Sequence, residues 1–198
     1  MSKYVEFYSP SDFLKEFRDT GIVINTDFPE YRIGLKFIEN YYAKQNRIGF
    51  EYVENKLSLS YLAKKLISWL PSCKNRLLWI EHWNFDNFSL GELAFLARKG
   101  MGETRSFSEV PGHFFRDMPF KEIDACELDE VQKSNLSFLA GLISIMILES
   151  WDGWLIASDA QDRIEFWEGN VYFYSNNPEQ ISNSKSLIGE FGFGEPLA

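Results

Sequence analysis

A chain of 198 residues, 45% hydrophobic and 17% aromatic, has the material for a sizeable core, which excludes a disordered protein. The 20 Lys+Arg against 29 Asp+Glu give a net charge of -9, unevenly shared: residues 1–116 hold 16 basic and 14 acidic side chains, a balance of +2, and residues 117–198 hold 4 and 15, a balance of -11. A surplus of that sign repels nucleic acid and anionic lipid and attracts basic macromolecules.

The length fits one domain over residues 1–198. Two cysteines, Cys73 and Cys126, and an N-terminus unlike a signal peptide predict a cytoplasmic protein that requires no disulfide. The most apolar run, Leu136 to Leu148, spans about 20 Å as a helix, too short for a bilayer. No membrane partner is expected.

In chain order, Tyr4–Tyr8 reads as a strand. Ser9-Pro10-Ser11-Asp12 supplies an N-cap, an N1 proline and a capping-box acid for a helix carrying Phe13, Leu14 and Phe17. Gly21 ends that helix, and Ile22-Val23-Ile24 is a strand candidate. Ile33, Phe37 and Tyr41 have helical spacing, interrupted by Gly34. Phe50–Val53 is a possible strand. Ser58–Leu70 is an amphipathic helix with Leu62, Leu66 and Trp69 on one side and Lys64 and Lys65 on the other, stopped by Pro71.

Arg76–Trp83 is a strand whose apolar run Leu77–Ile80 predicts a central position covered on both faces. Ser89 and Glu92 open a helix that ends near Gly100. Met101–Pro119, broken by Gly102, Pro111 and Gly112, is expected to be irregular, and Phe120–Glu130 is acidic. Leu128–Leu148 is a helix that starts wet and becomes apolar all round, as a buried central helix does. Trp154–Ser158, Arg163–Trp167 and Val171–Ser175 form an antiparallel meander. The turn-rich Asn176-Asn177-Pro178 and the Gly-Phe-Gly tail predict a loosely fixed C-terminus. The fold class that follows is α+β: an antiparallel sheet with a C-terminal meander, packed against helices, one of them central.

No P-loop, HExxH, paired CxxC or GxSxG is present, so no catalytic residue and no cofactor are assigned. Two histidines and two cysteines at unrelated spacings give no metal site. The densest polar cluster is Arg98, Arg105, Glu109 and His113, with Glu103 beside them. A histidine near a carboxylate can act as acid or base and two arginines can hold an anion, which makes this an alternative ligand site. A loop rich in Pro and Gly also needs such side chains for its own backbone.

The meander gathers acids and tryptophans. Alternation puts Glu165 and Trp167 opposite Ile164 and Phe166, so both are expected on the surface if the latter pair faces the core. Together with Asp152, Asp159, Asp162 and Glu168 they form the expected binding face for a basic protein, aromatics supplying buried area and acids steering the encounter.

The run from Gly102-Glu103-Thr104-Arg105 through Val110-Pro111-Gly112-His113-Phe114-Phe115 to Trp151-Asp152-Gly153-Trp154-Leu155-Ile156 resembles a pattern in uncharacterised bacterial proteins, where a PGH-F turn precedes an apolar helix and a W-D step leads into strands. The resemblance covers the central third of the chain and implies a related fold and no site. In composition alone the chain is similar to immunity proteins that neutralise bacterial toxins. The expected function is therefore a non-enzymatic inhibitor of a basic toxin, with a small-ligand site at the Arg105/Glu109/His113 loop and acidic mimicry of nucleic acid as alternatives.

Overall fold

In a computed structural model of the chain, the structure describes residues 4–25, 33–38, 45–52, 59–71, 75–82, 90–118, 128–157, 161–193 and 197. The strands are β1 (Val5–Tyr8), β2 (Ile22–Asn25), β3 (Gly34–Phe37), β4 (Asn46–Glu51), β5 (Arg76–His82), β6 (Gly112–Phe115), β7 (Asp152–Ala157), β8 (Arg163–Trp167) and β9 (Asn170–Ser175). The helices are α1 (Pro10–Glu16), α2 (Leu59–Trp69), α3 (Leu90–Gly100), α4 (Glu130–Leu148) and α5 (Pro178–Phe191). Seven strands form one antiparallel sheet in the order β1-β6-β5-β7-β8-β9-β4, and β2 and β3 form a separate hairpin. The α+β class and the meander stand as the sequence predicts.

Both faces of the sheet are covered. On one, α2, α3, α4 and α5 bury Leu66, Leu139, Ile143 and Phe191 against Leu78, Leu155, Ile164 and Phe173. On the other, α1 and the β2–β3 hairpin bury Phe13, Phe17 and Leu35 against Leu77, Trp79, Phe114 and Trp154. Hydrogen bonds hold the hairpin down: the buried Glu81 carboxylate accepts from Leu35 N–H at 2.5 Å and from Trp154 Nε1 at 2.8 Å, and Trp79 Nε1 donates to the Ile33 carbonyl. The double cover explains why β7 is buried at every position. Gly153 lets β5 approach there, since a Cβ at that position would collide with the Trp79 carbonyl oxygen and the Met146 methyl.

Helix α4 begins at a capping box in which Asp129 accepts from Gln132 N–H and Gln132 returns a bond to Asp129 N–H. It buries Leu136, Leu139, Ile143 and Met146 against the sheet. At 19 residues it is longer than the apolar run read from the sequence. By length and composition alone it is long and apolar enough to span a membrane, although one face is buried in the core as in a core helix.

Three expectations are corrected. The C-terminal segment is helix α5: Asn177 caps it, Pro178 sits at N1, Gly192 ends it at φ 68°, and Leu187, Ile188, Phe191 and Phe193 are buried. The same residues that read as a turn are a helix start and stop. The helical spacing through Ile33 and Phe37 gives way to strand β3, paired register for register with β2. Within the supposedly irregular Met101–Pro119, Gly112–Phe115 is a buried strand between β1 and β5. Cys73, Ser89, Cys126, Asp159 and the acidic run 120–127 lie outside the described residues.

Candidate functional site

The acids expected to share one face are divided by the two-sided cover of the sheet. Glu165 lies opposite Ile164 and Phe166 as alternation requires, yet that side faces the second core. Its carboxylate accepts from Tyr174 Oη at 2.5 Å, and burial raises its pKa against the opposing pull of that bond and of Arg47 and Arg163. Arg163 is itself enclosed, its guanidinium 4.1 Å from the Phe37 ring and 4.5 Å from that of Tyr174, and it donates to Gln45. Arg47, from the earlier half of the chain, covers Tyr172 at 3.7 Å. Mid-sheet, the negative surplus is therefore met by arginines, and Glu165 is half-buried. Asp162 is half-buried where β8 begins, away from Glu168 where β8 ends.

Asp152, Trp167 and Glu168 do come together. Pairing of β7 with β8 sets the start of one strand beside the end of the other, and Asp152, almost fully buried, accepts from Glu168 N–H at 2.9 Å. That bond fixes the tight β8–β9 turn, in which Glu168 and Gly169 both adopt positive φ, 50° and 80°. Paired positive φ values suit a two-residue hairpin, but only glycine tolerates them freely. Ser150, at the same end, also has φ 53°, and its hydroxyl lies beside Gly169.

Two further groups complete this end of the sheet. Glu51 closes β4, opposite Asn170, and is exposed. His82, beside an irregularity in the β5–β7 pairing, places Nδ1 3.9 Å from Asp152 Oδ2. Sequence reading missed both. His82 stands where the meander's first strand pairs outward, and Glu51 arrives through the β4–β9 pairing, which nothing local announces. The end is thus an exposed acidic rim, Glu51 and Glu168, with Trp167 half-buried between the strands and the Asp152 carboxylate beneath.

The residues of the alternative loop site are divided between core and surface. His113 is fully buried in β6, its Nδ1 donating to the Pro111 carbonyl at 3.2 Å and its ring among Phe7, Phe107 and Phe138. Desolvation, with Arg98 adding to it, pushes its pKa down to about 3, so it is neutral at physiological pH. Arg98 is also buried, donating to the Val110 carbonyl and lying 4.2 Å from the Phe107 ring; burial lowers its pKa to about 10. Arg105 makes a bidentate pair with Glu103 at 2.7 and 3.0 Å. Glu109 is exposed and accepts from Ser106 N–H, which lowers its pKa. These bonds hold the loop to itself, with His113 inside the core and Glu109 exposed.

Among the described residues, open grooves lie in two places. One of about 310 Å³ lies between α2 and α5, lined by Lys65, Ser68, Gln180, Asn183 and Glu190. The other, about 450 Å³, lies between the end of α3 and the start of α4, lined by Lys99, Met101, Glu130, Val131 and Asn135. Neither contains a histidine or a cysteine, and among the described residues no three His, Cys, Asp or Glu side chains gather as metal ligands. Compared with known proteins, the chain matches no family model, no curated protein and no solved structure.

Proposed function

We propose that the chain is a non-enzymatic binding protein of the immunity type, which engages a basic protein through the Glu51/Trp167/Glu168 end of its sheet. One observation carries the reading. Glu168 is held at φ 50°, a conformation that disfavours side chains other than glycine, asparagine and aspartate, and the buried Asp152 holds it there. A strained residue kept at an exposed turn points to function more than to stability. Here the strain presents a carboxylate beside a half-buried tryptophan, the pairing of steering charge and anchoring ring that protein interfaces use. The -11 balance of residues 117–198 supports a cationic partner.

The reading is tested by capture from native lysate with three immobilised proteins: wild type, Glu51→Lys/Glu168→Lys, and a control with Glu92→Lys/Glu109→Lys on exposed sites elsewhere. Wild type and control retain the same basic proteins and the double reversal loses them. Equal retention by all three, or loss by both reversals, contradicts the assignment.

A further inference from the structure

The outward face of α4 carries a pattern that its own fold uses only in part, since Phe138 and Ile145 rest their inner edges on the core while Gly141 between them faces solvent. From Ser134 to Leu148 no residue is charged, although Ser134, Ser137, Gly141 and Leu148 are exposed. A solvent-facing helix face ordinarily carries charge. Gly141 sits at its centre, where a Cβ would meet no atom within 4 Å. A glycine in mid-helix weakens the helix, and no close contact within the chain requires one there.

Residues three, four, seven and eight places from Gly141 share its face. Taken outward from the glycine, they match in complementary pairs. Phe138 lies three before it and Ser144 three after; Ser137 lies four before and Ile145 four after; Ser134 lies seven before and Leu148 seven after. Each pair joins one small and one large side chain. At eight places the pair is Lys133 and Glu149, which bracket the uncharged stretch. All of these positions are exposed or half-buried. Toward its start, at Ser134, the stripe opens into the 450 Å³ groove against the end of α3, where Met101 and Val131 line it.

We propose that this face binds a second copy of the chain, α4 against α4 antiparallel, with a two-fold axis at Gly141. In that pairing each residue meets the one equally far on the other side of the partner's glycine. Phe138 then faces the partner's Ser144, Ile145 the partner's Ser137, and Leu148 the partner's Ser134. Lys133 faces the partner's Glu149, twice by symmetry, as an isologous interface requires. Lys133 holds Glu130 within its own chain at 2.9 Å, on the exposed surface, where exchange of partners costs little. Gly141 lets the two backbones approach. A basic protein gains nothing from an uncharged stripe, and a lipid surface gains nothing from a match of large with small.

Sedimentation velocity over a wide concentration range reads the assembly. Wild type dimerises reversibly. Gly141→Glu, which sets two carboxylates against each other on the axis, is monomeric throughout, with a thermal midpoint at or above that of wild type at a dilution where both are monomers. Lys133→Glu and Glu149→Lys each weaken the dimer by about tenfold, and the double variant recovers most of the loss. A wild type that stays monomeric, a dimer that Gly141→Glu leaves intact, or a double variant no tighter than the single ones overturns the proposal. So does a monomer that floats with phosphatidylcholine vesicles, which assigns the stripe to lipid.

Discussion

His113 is a fully buried titratable group, and its setting has a measurable consequence. The unfolded chain takes up its proton near pH 6.5, the folded chain only near 3. Below 6.5 the unfolded state binds the proton first, so stability is full above that pH and falls as pH drops toward 3, at about 1.4 kcal/mol per pH unit from this group. Replacing His113 with Leu removes the proton uptake. Urea midpoints at about pH 7 and about pH 5 should then differ less in the variant than in wild type. Equal losses in both would show that the ring is not buried as described. Glu168 bears the opposite relation of stability to use. Glu168→Gly relieves a left-handed side-chain conformation and should stabilise the fold by about 1 kcal/mol while reducing capture of the basic partner. A destabilised Glu168→Gly, or one that binds as wild type does, counts against the role given to the turn.

Among the elements, what was legible in the sequence was local. The meander declared itself by alternation and turn residues, α2 by an apolar stripe at helical spacing, and α1 by Ser9 and Asp12, whose reciprocal bonds are present. What escaped was set by partners distant in sequence. Strand β6 is short and sits among glycine and proline, and it exists because β1 and β5 flank it. Strand β3 has a helical spacing of apolar residues that pairing with β2 overrides. Helix α5 was legible in principle, since Asn177-Pro178 and Gly192 are start and stop signals, but its mixed polarity reads as a tail until Phe191 and Phe193 are seen stacked beside Phe50. Phe191→Ala should therefore cost about 3–5 kcal/mol in chemical denaturation, as a core phenylalanine does, where a loose tail would lose almost nothing. Gly141→Ala in α4 should add about 0.5–1 kcal/mol to the dissociated chain, read the same way at a concentration too low for pairing, because within its own chain the new methyl meets open space and favours the helix.

At the scale of the whole molecule, the acidic surplus was legible as a number and not as a surface. Composition places -11 in residues 117–198, but a sheet covered on both faces draws Glu165 inward and sets Arg47 and Arg163 around it. The same architecture leaves strand ends as the places where side chains from separate elements meet solvent, and it collects Glu51, Trp167 and Glu168 at one of them. A charge sum along the chain cannot separate those outcomes, because burial depends on which elements lie over each face. The most direct measurement of the central claim is the association rate of a captured basic partner as a function of salt. The account predicts that the rate for wild type falls steeply as salt screens the acidic rim, and that Glu51→Lys/Glu168→Lys starts slower and loses most of that dependence. Association that is insensitive to salt in wild type, or equally sensitive in the reversed variant, would contradict it.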